Sequence, residues 1–82
     1  MGKKGTVQSP DGSWLVTWST SWWYINYEAQ DLKTGIVFRA VWIVDGWVLV
    51  PVKGSPPEAW VTEVDHELLE TLQRASDDAS RS

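Results

Sequence analysis

Residues 36–52 read IVFRAVWIVDGWVLVPV, two largely apolar runs separated by Asp45-Gly46. An Asp-Gly pair between apolar runs predicts a β-hairpin closed by a two-residue type I′ turn, in which Gly46 needs a positive φ. Pro51 has no N–H group, so the second strand ends there or lies at the edge of a sheet. The stretch therefore predicts two antiparallel strands, from Ile36 to Val44 and from Trp47 to Val52.

The sequence before this hairpin has the same period of two. Ser9-Pro10-Asp11-Gly12 and residues 31–35 have the composition of turns. Between these turns, Trp14, Val16 and Trp18 alternate with smaller or more polar side chains, which is typical of a strand. We therefore predict two earlier strands, from Trp14 to Thr20 and from Trp22 to Ala29. A short strand at Thr6 to Gln8 would be a fifth, so four or five strands are expected in all.

The apolar period changes after Pro56-Pro57. Apolar side chains then recur at steps of three and four residues, at Val61, Val64, Leu68, Leu72 and Ala75. This spacing predicts an amphipathic helix from about Thr62 to Ala75, packed on the sheet through Val64, Leu68 and Leu72, with an alternative start near Pro56. The polar residues 77–82 predict a disordered tail.

These elements predict one small α+β domain over residues 1–76. It would be an antiparallel β-meander of four or five strands followed by one C-terminal amphipathic helix packed on the sheet. A chain of 82 residues without cysteine has no disulfide to stabilise it, so dense aromatic packing or association must contribute.

The charge distribution argues against a nucleic-acid partner. Residues 1–57 carry five basic and four acidic side chains, a net charge of +1, whereas residues 58–82 carry two basic and seven acidic ones, a net charge of −5. An acidic C-terminal third repels a phosphate backbone. No apolar run is long enough to cross a membrane, so we expect no membrane partner and take the cytoplasm as the default location.

The sequence contains no catalytic signature. Its one histidine, His66, lies among acidic residues, and Glu63-x-x-His66 has the spacing of a di-metal ligand pair. Such a site needs ligands from several helices, and only one helix is predicted. We therefore expect no catalytic residues, no metal and no cofactor. The alternative is a small enzyme with a site at a subunit interface, where Glu28, Arg39 or His66 would supply polar groups.

Seven tryptophans are more aromatic surface than a domain of this size can easily bury. We expect some of them to form an aromatic platform for a ligand or a subunit interface. The candidates are Trp14, Trp18, Trp22, Tyr24, Trp42 and Trp47. A platform would suit a peptide or a carbohydrate. The alternative is that Trp14, Trp18, Trp23, Trp42 and Trp47 belong to the core or to a subunit interface, because a short chain without cysteine needs large side chains to fold.

The predicted strand from Ile36 to Val44 is apolar on both faces, although one helix can cover only one face of a sheet. The other face would carry Val37, Arg39, Val41 and Ile43 as an interface. We therefore expect a homo-oligomer, with a dimer favoured, because a two-fold interface needs only one self-complementary patch. Closure into a monomeric barrel is the alternative. The resulting hypothesis is a small non-enzymatic protein that self-associates through an aromatic-rich sheet.

Overall fold

The computed structural model describes residues 2–52, 54 and 63–81. Five strands precede one helix in these segments. The elements are β1 (Lys4–Gln8), β2 (Trp14–Thr20), β3 (Ile25–Asp31), β4 (Val37–Ile43), β5 (Gly46–Pro51) and α1 (His66–Ser80).

The strands form one antiparallel sheet in the order β1-β2-β3-β4-β5, and α1 packs on one face of it, mainly against β2 and β1. This confirms the predicted α+β meander with a C-terminal helix. The five described strands form an open sheet with β1 and β5 at its edges, so their pairing is not that of the closed barrel considered as an alternative.

The core lies between α1 and the covered face of the sheet. Alternate residues of β2 to β4 point toward the helix, which in turn contributes a stripe of leucine and alanine side chains. Leu68 and Leu72 are completely buried there, and Val64 is partly buried against the same cluster, as predicted. The buried apolar residues are Trp14, Val16, Trp18, Ala29, Phe38, Ala40, Leu68, Leu72, Ala75 and Ala79.

The helix begins and ends later than its periodicity predicts. Asp65 is the N-cap, and its Oδ1 accepts a hydrogen bond from the Leu68 N–H at 2.8 Å, so helical structure begins at His66 rather than near Thr62. The predicted starting points Thr62 and Pro56 lie outside the described residues. At the other end the structure differs from the predicted disordered tail, because α1 continues to Ser80 with Ala79 buried.

The β4–β5 hairpin is where predicted, but its turn is one residue earlier. Ile43 pairs with Gly46, so the two loop residues are Val44 and Asp45. Neither has a positive φ, which rules out the predicted type I′ turn. Gly46 follows the loop with φ of 129°, so the expected positive φ is present at the first residue of β5. Glycine is needed at this position, where pairing between β4 and β5 begins, because other residues rarely adopt such a φ.

We expect Gly46→Val to destabilise the fold by about 1–2 kcal/mol. No neighbouring atom of the described residues lies within 4 Å of a Cβ placed on Gly46, so the expected cost comes from the backbone conformation. Thermal unfolding measures the effect. Gly46→Asn is the matched control, since asparagine tolerates a positive φ better than valine does. Equal melting temperatures for the two variants would contradict this explanation.

Asp11 organises the turn between β1 and β2. Its Oδ1 accepts hydrogen bonds from the Ser13 hydroxyl at 2.6 Å, the Ser13 N–H at 2.9 Å and the Ser9 hydroxyl at 2.8 Å. The hydrogen bond from the Ser13 side chain has the largest effect. Together the three bonds favour the charged carboxylate and hold the pKa of Asp11 below its ordinary value. Ser9 is buried and its Oγ accepts the Trp14 N–H, so the turn is tied to the start of β2.

The lowered pKa of Asp11 predicts how the turn responds to pH. A lowered pKa in the folded state gives stabilisation that is complete above the ordinary aspartate pKa and is lost as pH falls through the lowered one. We expect the urea midpoint of the wild-type protein to exceed that of Asp11→Ala at neutral pH, and the difference to shrink below about pH 4. A difference independent of pH would show that the charge of Asp11 does not hold the turn.

Candidate functional site

Two of the candidate platform residues lie in the core. Trp14 and Trp18 are buried under α1, and both indole N–H groups are bound by helix aspartates. Trp14 Nε1 donates to Asp65 Oδ2 at 3.3 Å and Trp18 Nε1 donates to Asp78 Oδ2 at 2.9 Å. They are therefore not available to a ligand or a second subunit. This corrects the platform or interface role expected for these two residues and agrees with the core alternative. Period-two alternation predicts that these two residues share one face of the sheet, but it does not predict which face the helix covers.

Three of the other candidates are exposed: Trp22 is 96% exposed, Trp42 62%, and Tyr24 is also exposed. Trp23, which was not a candidate, is 88% exposed. An antiparallel meander places the β2–β3 loop and the β4–β5 hairpin at the same end of the sheet, about two strand spacings apart. We define this aromatic end as Trp22, Trp23, Tyr24, Trp42 and the exposed turn residue Val44.

The aromatic end depends on a loop where a strand was predicted. The β2–β3 ladder closes at the pair Thr20 and Ile25, so β3 begins three residues later than the predicted start at Trp22. Within the loop, the Ser21 N–H donates to the Tyr24 carbonyl at 2.9 Å. Trp22 and Trp23 therefore project from a short hairpin loop, where none of the described strands and neither end of α1 covers them.

A cleft of about 380 Å³ lies between α1 and the strands next to the aromatic end. Trp47 contacts the other two aromatic residues of the lining: its ring lies edge to face with Tyr27 at 5.0 Å and with Trp42, its cross-strand partner, at 5.4 Å between centroids. Gln73 and Ser76 complete the lining from the helix. A volume of this size is within the range of small-ligand sites, which begins at about 300 Å³.

The cleft tryptophans differ from the core tryptophans in hydrogen bonding. Within the described part of the chain, the indole N–H groups of Trp42 and Trp47 donate to no protein acceptor, nor do those of Trp22 and Trp23. Buried indoles normally find a partner, as Trp14 and Trp18 do. The free donors are thus concentrated at the aromatic end and in the adjoining cleft.

The uncovered face of the sheet carries the predicted interface residues. Val41 and Ile43 are partly exposed, Arg39 is exposed and Val37 is half-buried. Val48 and Val50 of β5 extend the apolar surface, since they pair with Val41 and Arg39. We call Val41, Ile43, Val48 and Val50 the open-face patch. Toward β1 the same face becomes polar.

The polar candidates are dispersed. His66 Nε2 lies 3.1 Å from Glu70 Oε1 on the exposed side of α1, and Glu28 pairs with Arg39 on the open sheet face. The structure therefore does not bring His66 together with Glu28 or Arg39. In the described ranges, no group of three or more His, Cys, Asp or Glu side chains could hold a metal ion.

Sequence reasoning did not select Trp23, Tyr27, Gln73 or Ser76 for the site. Tyr27 could have been found from the register, because it pairs with Trp18 and shares its face. Gln73 and Ser76 have no such signal, because their position depends on how α1 lies across the sheet.

Comparison with protein-family models, with curated proteins and with solved structures finds no match to this chain. Among the described residues, no helix has both the length and the apolar character needed to cross a membrane.

Proposed function

We propose that this chain is a non-enzymatic binding protein whose ligand surface is the aromatic end with the adjoining cleft. The observation that carries the proposal is the contrast among its tryptophans. Trp14 and Trp18 are buried with their N–H groups bound, whereas Trp22, Trp23 and Trp42 are exposed with theirs free. Side chains that only stabilise the fold would resemble the first pair.

The free-energy cost of exposing these tryptophans to water supports a role in binding a partner. Leaving a large apolar side chain in water forfeits roughly 1.5–3 kcal/mol relative to its burial, and three tryptophans are exposed at one end of the sheet. Contiguous exposed apolar surface of this kind is typical of interaction sites. Tryptophan and tyrosine are also enriched among the residues that dominate binding energy. A peptide or a glycan, as expected from the sequence, suits this surface.

A cytoplasmic location stays a prediction.

The double variant Trp22→Ala with Trp23→Ala tests the proposal. We expect its stability to stay within about 0.5 kcal/mol of the parent, because substitutions at exposed sites rarely do more. Binding to hits from peptide and glycan arrays should weaken at least tenfold. Leu69→Ala, an exposed change on α1, is the control and should retain binding. Loss of stability in the double variant, or no array hit for the parent, would contradict the proposal.

Self-association is a second candidate function, supported by the open-face patch. Its four apolar side chains are each 37–47% exposed, and they adjoin Glu28 and Arg39, a pair of opposite charges on the same face. A two-fold mate could bury the apolar residues and place each Arg39 near an acidic partner.

Sedimentation equilibrium tests self-association. We expect a dimer for the parent and a monomer near 9.3 kDa for Val41→Lys, because a lysine in the patch introduces an unpaired charge. Thr6→Lys, on the same face but on the opposite edge strand, should stay dimeric. A monomeric parent would remove this candidate and leave ligand binding unaffected.

A further inference from the structure

Among the described residues, those that line the cleft between α1 and the β4–β5 hairpin carry no charge. Tyr27, Trp42 and Trp47 supply the aromatic side and Gln73 and Ser76 the polar side. These five side chains offer no opposite charge to offset the desolvation of a charged group. Its ligand should therefore present a neutral surface.

Each of the five described lining residues carries a hydrogen-bond donor, whereas only Tyr27, Gln73 and Ser76 also carry an acceptor. An indole N–H can only donate, and both Trp42 and Trp47 have theirs free within the described part of the chain. The hydroxyls of Tyr27 and Ser76 also have no protein partner there, whereas the Gln73 amide donates to Asp77 Oδ1 at 3.3 Å. The matching ligand has exposed acceptors and few donors of its own.

We propose that the cleft binds a proline-rich segment in the polyproline II conformation; this inference rests on the proposed binding function. Proline has a carbonyl acceptor but no N–H, so a run of prolines presents acceptors without competing donors. Its rings pack against aromatic side chains, and its preformed conformation loses little entropy on binding.

The ring geometry suits such a segment. Trp47 meets both Tyr27 and Trp42 edge to face, at interplanar angles of 84° and 70°. The three rings therefore form corners rather than one flat surface, and a corner contacts a pyrrolidine ring on two sides. A pyranose would stack best on a flat indole face. Its hydroxyl protons would also need acceptors, which are few in this lining.

Titration of ¹⁵N-labelled protein with an oligoproline peptide tests the inference, because tryptophan indole N–H signals can be followed individually. We expect the Trp42 and Trp47 signals to shift and those of Trp14 and Trp18, which are bound to aspartates, to stay in place. Trp42→Phe keeps an aromatic ring and removes the donor, so it should weaken binding about tenfold. Tyr27→Phe should act in the same direction, and Leu69→Ala should have no effect.

The other outcomes separate the inference from the proposed function. If a glycan or a proline-free peptide shifts the Trp42 and Trp47 signals and oligoproline does not, the ligand class is wrong while the binding function stands. If oligoproline shifts only Trp22 and Trp23, the aromatic end binds but the cleft assignment is overturned. If oligoproline shifts no indole signal, the inference fails, and the array experiment decides the proposed function separately.

Discussion

Leu68→Ala is expected to destabilise the protein by about 2–5 kcal/mol, as truncation of other buried leucines does. Leu68 is completely buried between α1 and the sheet. Removing its branched end would lose the transfer free energy of the side chain and leave a cavity, because the strands beneath it cannot close the gap. For a domain of this size the melting temperature should fall by about 8 °C or more.

The neighbouring residue is a matched control. Leu69 lies on the same helix turn but is 46% exposed, so Leu69→Ala removes the same atoms with only part of the burial. We expect its effect to be much smaller than that of Leu68→Ala. Similar melting temperatures for the two variants would show that α1 does not dock on the sheet in this orientation.

Gly5→Val is expected to cost about 1–3 kcal/mol. Gly5 pairs with Trp18 across the β1–β2 ladder, and the indole covers the glycine. A Cβ on Gly5 would lie 2.7 Å from Cζ2 and 2.8 Å from Nε1 of Trp18, which is closer than real contacts allow. The ring cannot easily move away, because its N–H is held by Asp78. Either β1 shifts from the ladder or the indole leaves its hydrogen bond.

Chemical denaturation of Gly5→Val and of Thr6→Val separates this clash from a general effect on β1. Thr6 is the next residue of the strand and is exposed, so valine there has room and a favourable β-propensity. We expect Thr6→Val to be neutral or slightly stabilising. A neutral Gly5→Val would mean that the Trp18 indole does not cover β1.

Sequence reasoning identified the candidate site only in part. It selected Trp22, Tyr24, Trp42 and Trp47, which do lie at the aromatic end or in the cleft. It grouped them with Trp14 and Trp18 because alternation within a strand assigns two faces without saying which one the helix covers. The same limit applies to the cleft, which exists only because residues distant in sequence meet across the helix–sheet contact.

The sequence by itself determined the elements and their order. Period-two alternation, turn composition and the later change of period are local signals, so they predicted four or five strands, a helix and the burial of Leu68 and Leu72. Only the tertiary structure decided the contacts between segments that are distant in sequence. Asp65 and Asp78 bind indoles on β2, more than fifty residues earlier in the chain, and Ala79 is buried where a disordered tail was predicted. Contacts between distant segments also decide which tryptophans are buried and hydrogen-bonded and which are exposed, because burial depends on which surfaces meet.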